Sequence, residues 1–506
     1  MVTYFLSNIR VTYSGLIAFS VSILGVLTGT IFVIMVTRKL TPDDLGLWTL
    51  IGSIVGYVLI AEAIVEYWTT RQIARGEKIG KTAFTVNGLL SLGGIFVYFI
   101  IALYVSSNLG TDFNILLLAA ALVPLAFLNN VLNAICIGFR PQVISYGLMS
   151  FESSKIILGI FFVVIMQLGI VGALITTIGA SFVNLIILLY FSREQLVDKV
   201  KSSVIKFWFR LSWLTLYGNV HGLIYKLDVL IFSLLTSSLV GLAYWGVTAA
   251  ATNLVAYSSQ VSQGLYPKLV ATGKSEIAEE SLKKTMYFAI PLLGLTVLMA
   301  KPALHVLNPI YIDGVFIVMI MAFRNVINIL MGFFFSILEA KETIDIDKTA
   351  SFRQYLKSNL FMRPTLMLIF SGVYVGSLTI FLIFWATPDM TDVQTVIIWS
   401  FILLGANIIF MIVGLILVIR YHQFVFPYIP VLKYTLAAII GSFAIFLITE
   451  NIIYTDSVYD FLPQIIPIVL VGGGIYVGIT YIIDNSTRIL VKAIIEELLN
   501  SIKRFF

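Results

Sequence analysis

Apolar runs as long as a membrane-spanning helix recur along this chain. About fourteen can be drawn, because a helix needs roughly 20 apolar residues to cross the hydrocarbon core of a bilayer. They lie near residues 14–37, 45–69, 83–106, 113–138, 142–166, 169–192, 211–235, 239–266, 284–308, 312–339, 363–387, 392–420, 430–450 and 460–483. Hydrophobic residues make up 59% of the 506 residues, which is more apolar surface than a soluble domain can bury. We therefore predict an all-α integral membrane protein with about 14 transmembrane helices.

The distribution of lysine and arginine predicts the orientation, because cytoplasmic loops collect these residues. If the first helix leaves the cytoplasm, 26 of the 32 Lys and Arg residues fall on the inner side, three fall on the outer side and three fall inside spans. We therefore expect a multi-pass protein of the cell membrane with both termini in the cytoplasm. The first apolar run is long enough to span and lacks a small-residue cleavage site, so we interpret it as a helix and not as a removable signal peptide.

Two short segments that lie 195 residues apart have the same residue at four equivalent positions. The matching residues are Leu40, Thr41, Gly46 and Leu47 in the first segment, and Leu235, Thr236, Gly241 and Leu242 in the second. The segments follow the first and the seventh predicted helix, so an even number of spans separates them and the two halves share one orientation. Transporters build two bundles from such parallel repeats. The alternative is a chance recurrence of residues that are common in membrane turns.

The repeat and a basic segment at the midpoint predict four parts of the chain. They are an N-terminal six-helix lobe at 1–193, a cytoplasmic linker at 194–210, a pseudo-symmetric six-helix lobe at 211–420, and two extra helices with a cytoplasmic tail at 421–506. The tail alternates apolar and basic residues at helical spacing, which is typical of a helix that lies on the membrane surface.

The stretch at 36–77, VTRKLTPDDLGLWTLIGSIVGYVLIAEAIVEYWTTRQIARGE, carries a family resemblance. It resembles the flippases of lipid-linked oligosaccharides, the polysaccharide-synthesis branch of the multidrug/oligosaccharidyl-lipid/polysaccharide exporter superfamily. The segment 38–48 is similar to the turn that ends helix one in that family, and Glu62 stands where the family usually has Asp. The segments 138–141 and 226–245 resemble its inner turn between helices four and five and its helix-seven signature.

The resemblance implies a mechanism and a set of partners. In the family, two lobes open alternately to each side of the membrane, and the sugar and diphosphate of a polyprenyl lipid cross while the lipid tail stays in the bilayer. The implied partners are a polyprenyl-linked oligosaccharide lipid, the membrane lipids and, as further candidates, glycosyltransferases of the same pathway that builds surface polysaccharide or glycoprotein. We expect a monomer that is not an enzyme.

Two other functions stay open at this point. One is a drug or cation antiporter of the same superfamily, a branch that usually has twelve helices, so the extra pair near 430–483 favours the polysaccharide branch. The other is a membrane-embedded glycosyltransferase or polymerase. Such an enzyme normally carries a sizeable loop with acidic metal ligands, and this sequence shows no outer loop of that size.

Ionisable residues inside predicted spans are costly, so they mark candidate functional sites. The basic residues of this kind are placed to meet phosphate groups, and we predict that they bind the substrate: Arg324, Lys226 and Lys155. The acidic ones are predicted to line the cavity or to couple transport to an ion: Asp228, Glu62, Glu66 and Glu152.

Some of these residues also have a structural interpretation. Glu152 and Lys155 are three residues apart and can neutralise each other. Lys226 and Asp228 are two residues apart, so they point to different faces of a helix and each needs another partner. Arg324 has no acidic residue within one helical turn, which favours a role in function.

Other motifs carry no chemistry in this context. The segment GEKIGKT at 76–82 is similar to a phosphate-binding loop, but its first glycine is one residue too close and no strand precedes it. The acidic pair at 345–347 lies in an inner linker with no folded domain around it. One cysteine and three histidines exclude a disulfide framework and a Cys-rich metal site. We expect no catalytic residue, metal, cofactor or nucleic-acid partner.

Overall fold

The structure is a computed structural model that describes residues 28–140, 143–262, 275–340, 352–422, 424–489 and 492. All regular secondary structure in these ranges is helical. The first nine α-helices are α1 (28–39), α2 (Pro42–Val58), α3 (Ala63–Ala74), α4 (Gly80–Leu109), α5 (Phe113–Ala119), α6 (Leu122–Phe139), α7 (Val143–Gly159), α8 (Gly169–Ser192) and α9 (Ser202–Thr236). The others are α10 (Leu239–Ala256), α11 (Ser275–Leu298), α12 (Ala300–Leu307), α13 (Val315–Ala340), α14 (Phe352–Leu356), α15 (Asn359–Phe384), α16 (Asp392–His422), α17 (Tyr428–Thr449) and α18 (Val458–Ile483).

The predicted fold class is confirmed. Within the described residues, 12 helices are long and apolar enough to cross a membrane, or up to 13 if a bent pair forms one span. Each has a counterpart among the predicted apolar runs. Most of the first run, near 14–37, lies outside the described residues, and its last part belongs to α1. The chain is therefore an all-α, multi-pass membrane protein.

Prolines explain two interruptions of the spans. The helix of the fourth span breaks at Ala120–Ala121 and restarts as α6, just ahead of Pro124, because a proline clashes with the preceding turn and lacks an amide donor. A bend of 70° separates α11 from α12. It lies at Met299, three residues before Pro302, so the sharp bend is beside this proline and not at Pro291, which lies inside α11.

The chain divides into two compact units. One unit comprises Met1–Gly246 and Ser371–Asp392, and the other comprises Val247–Phe370 and Val393–Phe506. The division into four parts was predicted from the repeat and from the pseudo-symmetry of the two lobes. Both the division and the pseudo-symmetry stay predictions.

The two repeated turns pack against each other inside the first unit. A methyl group at Gly46 would overlap the backbone carbonyl of Leu239, so only glycine allows α2 and the start of α10 to approach this closely. Thr41 caps α2 by accepting a hydrogen bond from the Asp44 amide at 3.2 Å, and Ser238 accepts one from the Gly241 amide at 2.9 Å. In the repeat, Thr41 corresponds to Thr236, but the residue that caps α10 is Ser238, two positions later.

The predicted cytoplasmic linker is largely helical and is anchored to the first unit. Helix α9 begins at Ser202, within the predicted linker. The Trp208 side chain is fully buried, and its indole Nε1 donates to Gln72 Oε1 at 2.9 Å. The Lys201 amide donates to Thr82 Oγ1 at 3.0 Å. These contacts hold the start of α9 against the ends of α3 and α4.

A cluster of three tyrosines joins the two extra helices to α11 in the second unit. Tyr287 of α11 lies with its ring centroid 5.3 Å from that of Tyr434 in α17 and 5.4 Å from that of Tyr476 in α18. The Tyr476 hydroxyl donates to the Tyr287 carbonyl at 2.7 Å. Buried aromatic rings in such contacts add about 0.5–1.5 kcal/mol per pair beyond burial of area. The extra helices are thus an integral part of this unit.

The predicted orientation gives a labelling experiment. Asn108, Asp389 and Lys78 are all exposed, and the native Cys136 is buried. A single cysteine introduced at each of the three positions should therefore be labelled without interference from Cys136. An impermeant maleimide added to intact cells should label cysteines at 108 and 389, and should label the cysteine at 78 only after lysis. The reverse pattern would contradict both cytoplasmic termini and the orientation on which the parallel repeat depends.

Candidate functional site

The centre of the candidate site is an acidic side chain at a change of helix type. Between α2 and α3 the chain forms a single 3₁₀ segment, Leu59–Glu62, within one continuous span. Such segments inside helices often mark functional positions. Glu62, at its end, is 4% exposed and accepts a hydrogen bond from Asn130 Nδ2 to Oε2 at 2.8 Å. Its other oxygen, Oε1, has no hydrogen-bond partner within the described part of the chain.

A second carboxyl group lies beside the first. Glu66 is half-buried one turn further along, and its carboxyl group interacts directly with that of Glu62. Two carboxyl groups in contact at a buried position cannot both carry full charge without a large repulsion, so such a pair can share one proton. This arrangement can bind and release a proton, or it can hold a small cation.

Lys226 lies close to this acidic pair. Its ammonium group donates to the Gly56 carbonyl at 3.4 Å, and its charge acts on Glu62. A methyl group at Gly56 would come within 2.8 Å of the Lys226 Nζ, so the absence of a side chain at this position makes room for the cation. The Tyr57 hydroxyl donates to the Lys226 carbonyl and fixes α9 against α2.

Asp228 is held separately from Lys226. It is 3% exposed, and its Oδ2 accepts a hydrogen bond from the Tyr374 hydroxyl at 2.7 Å. Its Oδ1 accepts one from the Val229 amide, also at 2.7 Å. Both carboxylate oxygens of Asp228 are therefore satisfied within the first unit, as expected for a buried acid that persists in an apolar span.

Glu152 and Lys155 form a pair of their own. The Lys155 Nζ lies 2.8 Å from Glu152 Oε2, and the ammonium also lies over the rings of Phe32 and Phe151, at 5.2 Å and 4.9 Å from their centroids. Both side chains are mostly buried. Lys155 would have to leave Glu152 before it could meet a phosphate group, so this geometry fits the structural interpretation that the spacing allowed.

Arg324 lies in the second unit, in the middle of α13. Its guanidinium Nη1 donates to Asn325 Oδ1 at 3.0 Å, and Asn325 Nδ2 donates to the Thr252 carbonyl at 3.0 Å. Asn325 is buried and Arg324 is half-buried. The asparagine therefore ties the arginine to α10 and fixes the direction of the guanidinium.

The structure thus brings together three of the predicted residues, Glu62, Glu66 and Lys226. Uncharged partners of the site were not predicted, namely Tyr57, Asn130, Tyr374 and Asn325. Each is a polar side chain inside an apolar span, and a count of uncharged polar residues in the spans would have marked them as candidates.

Comparison with known proteins defines the fold. No family model and no curated protein matches the sequence. Among solved structures, the chain is similar to "Lipid II flippase MurJ, inward closed conformation", at 14% identity and a TM-score of 0.59, over 94% of this chain and 100% of that one. It is also similar to the inward-facing "multidrug resistance MATE family transporter of the MOP superfamily", at 14% identity and a TM-score of 0.54, over 81% and 98%. At the level of the fold the predicted resemblance is confirmed: this chain has the architecture that the flippase MurJ and the MATE transporter share.

Proposed function

We propose that this protein is an alternating-access flippase of the polysaccharide-synthesis branch of that superfamily. Its substrate is a polyprenyl-diphosphate-linked oligosaccharide, which it moves across the cell membrane for the assembly of surface polysaccharide or glycoprotein. The lipid-linked substrate is its main partner, with membrane lipids around it and glycosyltransferases of the same pathway as further partners. The protein acts without a catalytic residue.

The extent of the structural match carries the proposal. The flippase matches 94% of this chain and the drug transporter 81%. The flippase is matched over the larger share of this chain, and the chain carries two extra helices, α17 and α18. Those helices pack on α11 through the tyrosine cluster, so they are part of the second compact unit. A fold with this extra pair supports the flippase over the drug antiporter.

The charged residues supply the chemistry that this substrate needs. A diphosphate is costly in a low-dielectric membrane and requires cations with hydrogen-bond donors. Arg324 and Lys226 are the proposed ligands of the diphosphate, and Lys155 is a further candidate once it separates from Glu152. Glu62 and Glu66 are the proposed ion-coupling pair, and Asp228 and Glu152 are cavity acids that hold neighbouring groups in place.

A reconstitution assay tests the substrate class. The purified protein in vesicles should move polyprenyl-diphosphate-linked saccharides, measured as the fraction that an external lectin can reach, and should not exchange a cationic dye such as ethidium. A panel of saccharides is needed because the sugar is not specified. Dye exchange without saccharide movement would favour the antiporter and contradict the flippase.

The same assay tests the ion-coupling role of Glu62. If Glu62 and Glu66 carry a transported proton, Glu62→Gln should remove the dependence of transport on an imposed pH gradient, because the amide cannot titrate. Glu77→Gln, which removes an exposed acid outside the span, is the matched control and should keep that dependence. A Glu62→Gln protein that still responds to the gradient would exclude Glu62 as the coupling residue.

A further inference from the structure

Three basic side chains from three different elements converge on the end of α18. Lys433 of α17 donates its ammonium to the Ile483 carbonyl at 2.9 Å. Arg488 donates to the carbonyls of Tyr481 and Ile482, each at 3.4 Å. Lys283 of α11 donates to the Ser486 hydroxyl. The three cations therefore lie around one helix end, at the predicted cytoplasmic surface.

The cluster carries excess positive charge. The acid that the described residues place in this cluster is Asp484, which is 6% exposed and accepts hydrogen bonds at Oδ2 from Tyr434 and from the amide and hydroxyl of Thr487. Burial raises the pKa of Asp484, but the bonds from Thr487 and Tyr434 and the charge of Lys283 outweigh burial and hold this pKa below its ordinary value. Among the described residues, this cluster therefore holds one buried negative charge and three positive charges.

Lys284, next to Lys283 in the sequence, differs from the three cations because it already has an acidic partner. Lys284 forms an ion pair with Glu280, at 2.6 Å between Nζ and Oε1. The salt bridges of the described residues include none of the three converging cations. Within the described residues, the hydrogen bonds of Lys283, Lys433 and Arg488 go to neutral oxygens, so these cations keep the capacity to bind an anion.

An apolar crevice lies between the same three helices. It has a volume of about 280 Å³, is lined almost wholly by apolar atoms, and is bounded by α11 at Pro291, by α17 at Gly441 and by α18 at Gly473. Tyr287 and Tyr476 form part of its wall, and Tyr434 connects them to Asp484. Along α18, Tyr476 is about 12 Å from Asp484 at 1.5 Å per residue, which is within the depth of one leaflet.

We propose that this part of the second unit binds one anionic phospholipid, with its phosphate at Lys283, Lys433 and Arg488 and one acyl chain in the crevice. Basic pockets between membrane helices at the cytoplasmic surface suit such headgroups, and the adjacent apolar crevice distinguishes a lipid from a free phosphate ion. The bound lipid is a structural partner, so this inference is independent of the proposed transport substrate.

The headgroup part is tested by native mass spectrometry of the full-length protein with palmitoyl-oleoyl phosphatidylglycerol or phosphatidylcholine. The wild type should retain phosphatidylglycerol preferentially. Each of Lys283→Gln, Lys433→Gln and Arg488→Gln should lower that preference about fivefold, as a surface cation contributes roughly this factor. Lys284→Gln removes the same charge from the adjacent, ion-paired residue and should keep the wild-type preference.

The chain part is tested with adjacent glycines of α18. A side chain at Gly473 would meet no atom within 4 Å of its Cβ, and Gly473 lines the crevice, whereas Gly474 is equally open but does not line it. Gly473→Leu should therefore lower phosphatidylglycerol retention, and Gly474→Leu should not. No preference in the wild type, or an equal loss in Lys284→Gln, would overturn the headgroup site. Unchanged binding in Gly473→Leu would overturn the placement of the chain.

Discussion

Gly46→Ala should destabilise this protein more than any other single methyl group added to the described helices. The new Cβ would overlap the carbonyl oxygen, carbonyl carbon and Cα of Leu239. Backbone atoms at the start of a helix cannot turn aside as a flexible side chain can, so α10 would have to move away from α2. Overpacking of this kind costs about 1–3 kcal/mol and sometimes more, and we expect the upper end of that range.

The control for this substitution lies on the same helix. Gly52 of α2 is exposed, and a Cβ there would meet nothing within 4 Å. Gly52→Ala should be neutral or should stabilise the protein by up to about 1 kcal/mol, because alanine favours the helix over glycine. The midpoint of thermal unfolding in detergent, followed by size-exclusion chromatography, should fall for Gly46→Ala and should stay the same or rise for Gly52→Ala. Equal midpoints would show that α2 and α10 are not in tight contact.

The same glycine shows what a repeated sequence can and cannot predict. The repeated residues correctly predicted two turns at which helices begin, because threonine, proline, serine and glycine form local backbone hydrogen bonds or favour local backbone conformations at helix starts. They did not predict that the two turns touch. Nor did they predict that Gly241 has a different task, namely to leave room for the ring of Phe232 in α9. Contacts between distant segments depend on packing, which the local pattern does not encode.

The number and position of the spans were predictable for a different reason. The thickness of the hydrocarbon core fixes the length of each apolar run, so the runs near 83–106 and 392–420 correspond to Gly80–Leu109 and Asp392–Tyr421. The sequence did not indicate that α9 begins at Ser202, inside the predicted linker at 194–210. Its basic residues predicted a polar cytoplasmic segment, and they gave no sign that Trp208 packs in the same core cluster as Ile73 and Ala83.

The sequence allowed the charged candidate residues to be named, but it did not predict how they are arranged in space. Charges inside spans are rare, so sequence alone selected Glu62, Lys226 and Asp228. Sequence could also show that Lys226 and Asp228 need separate partners. It could not identify those partners, because the Gly56 carbonyl and the Tyr374 hydroxyl come from elements 170 and 146 residues away along the chain.

Arg324→Ala should abolish movement of the lipid-linked saccharide without lowering the amount of folded protein. On the proposed function, the guanidinium offsets the diphosphate while it crosses the low-dielectric part of the membrane, where a bare charge costs several kcal/mol. Loss of even 3 kcal/mol from that step would slow transport more than 100-fold. Arg324→Lys should restore part of the activity, because the charge survives but the planar pair of donors does not. The reconstitution assay measures all three proteins at equal protein content.

Two comparisons separate this role from a structural one. Arg420→Ala removes an exposed arginine from the end of α16 and should leave transport unchanged, which controls for the loss of one positive charge. The alternative hypothesis is that Arg324 serves only to neutralise Asp228, although the bonds from Tyr374 and Val229 already satisfy the Asp228 carboxylate. If the two residues only neutralise each other, the double variant Arg324→Ala with Asp228→Ala should regain transport, because no uncompensated charge remains. If Arg324 binds the diphosphate, the double variant should stay inactive, since removal of an acid cannot replace the donors that the phosphate oxygens require. Rescue by the double variant, or normal transport by Arg324→Ala alone, would remove Arg324 from the substrate site.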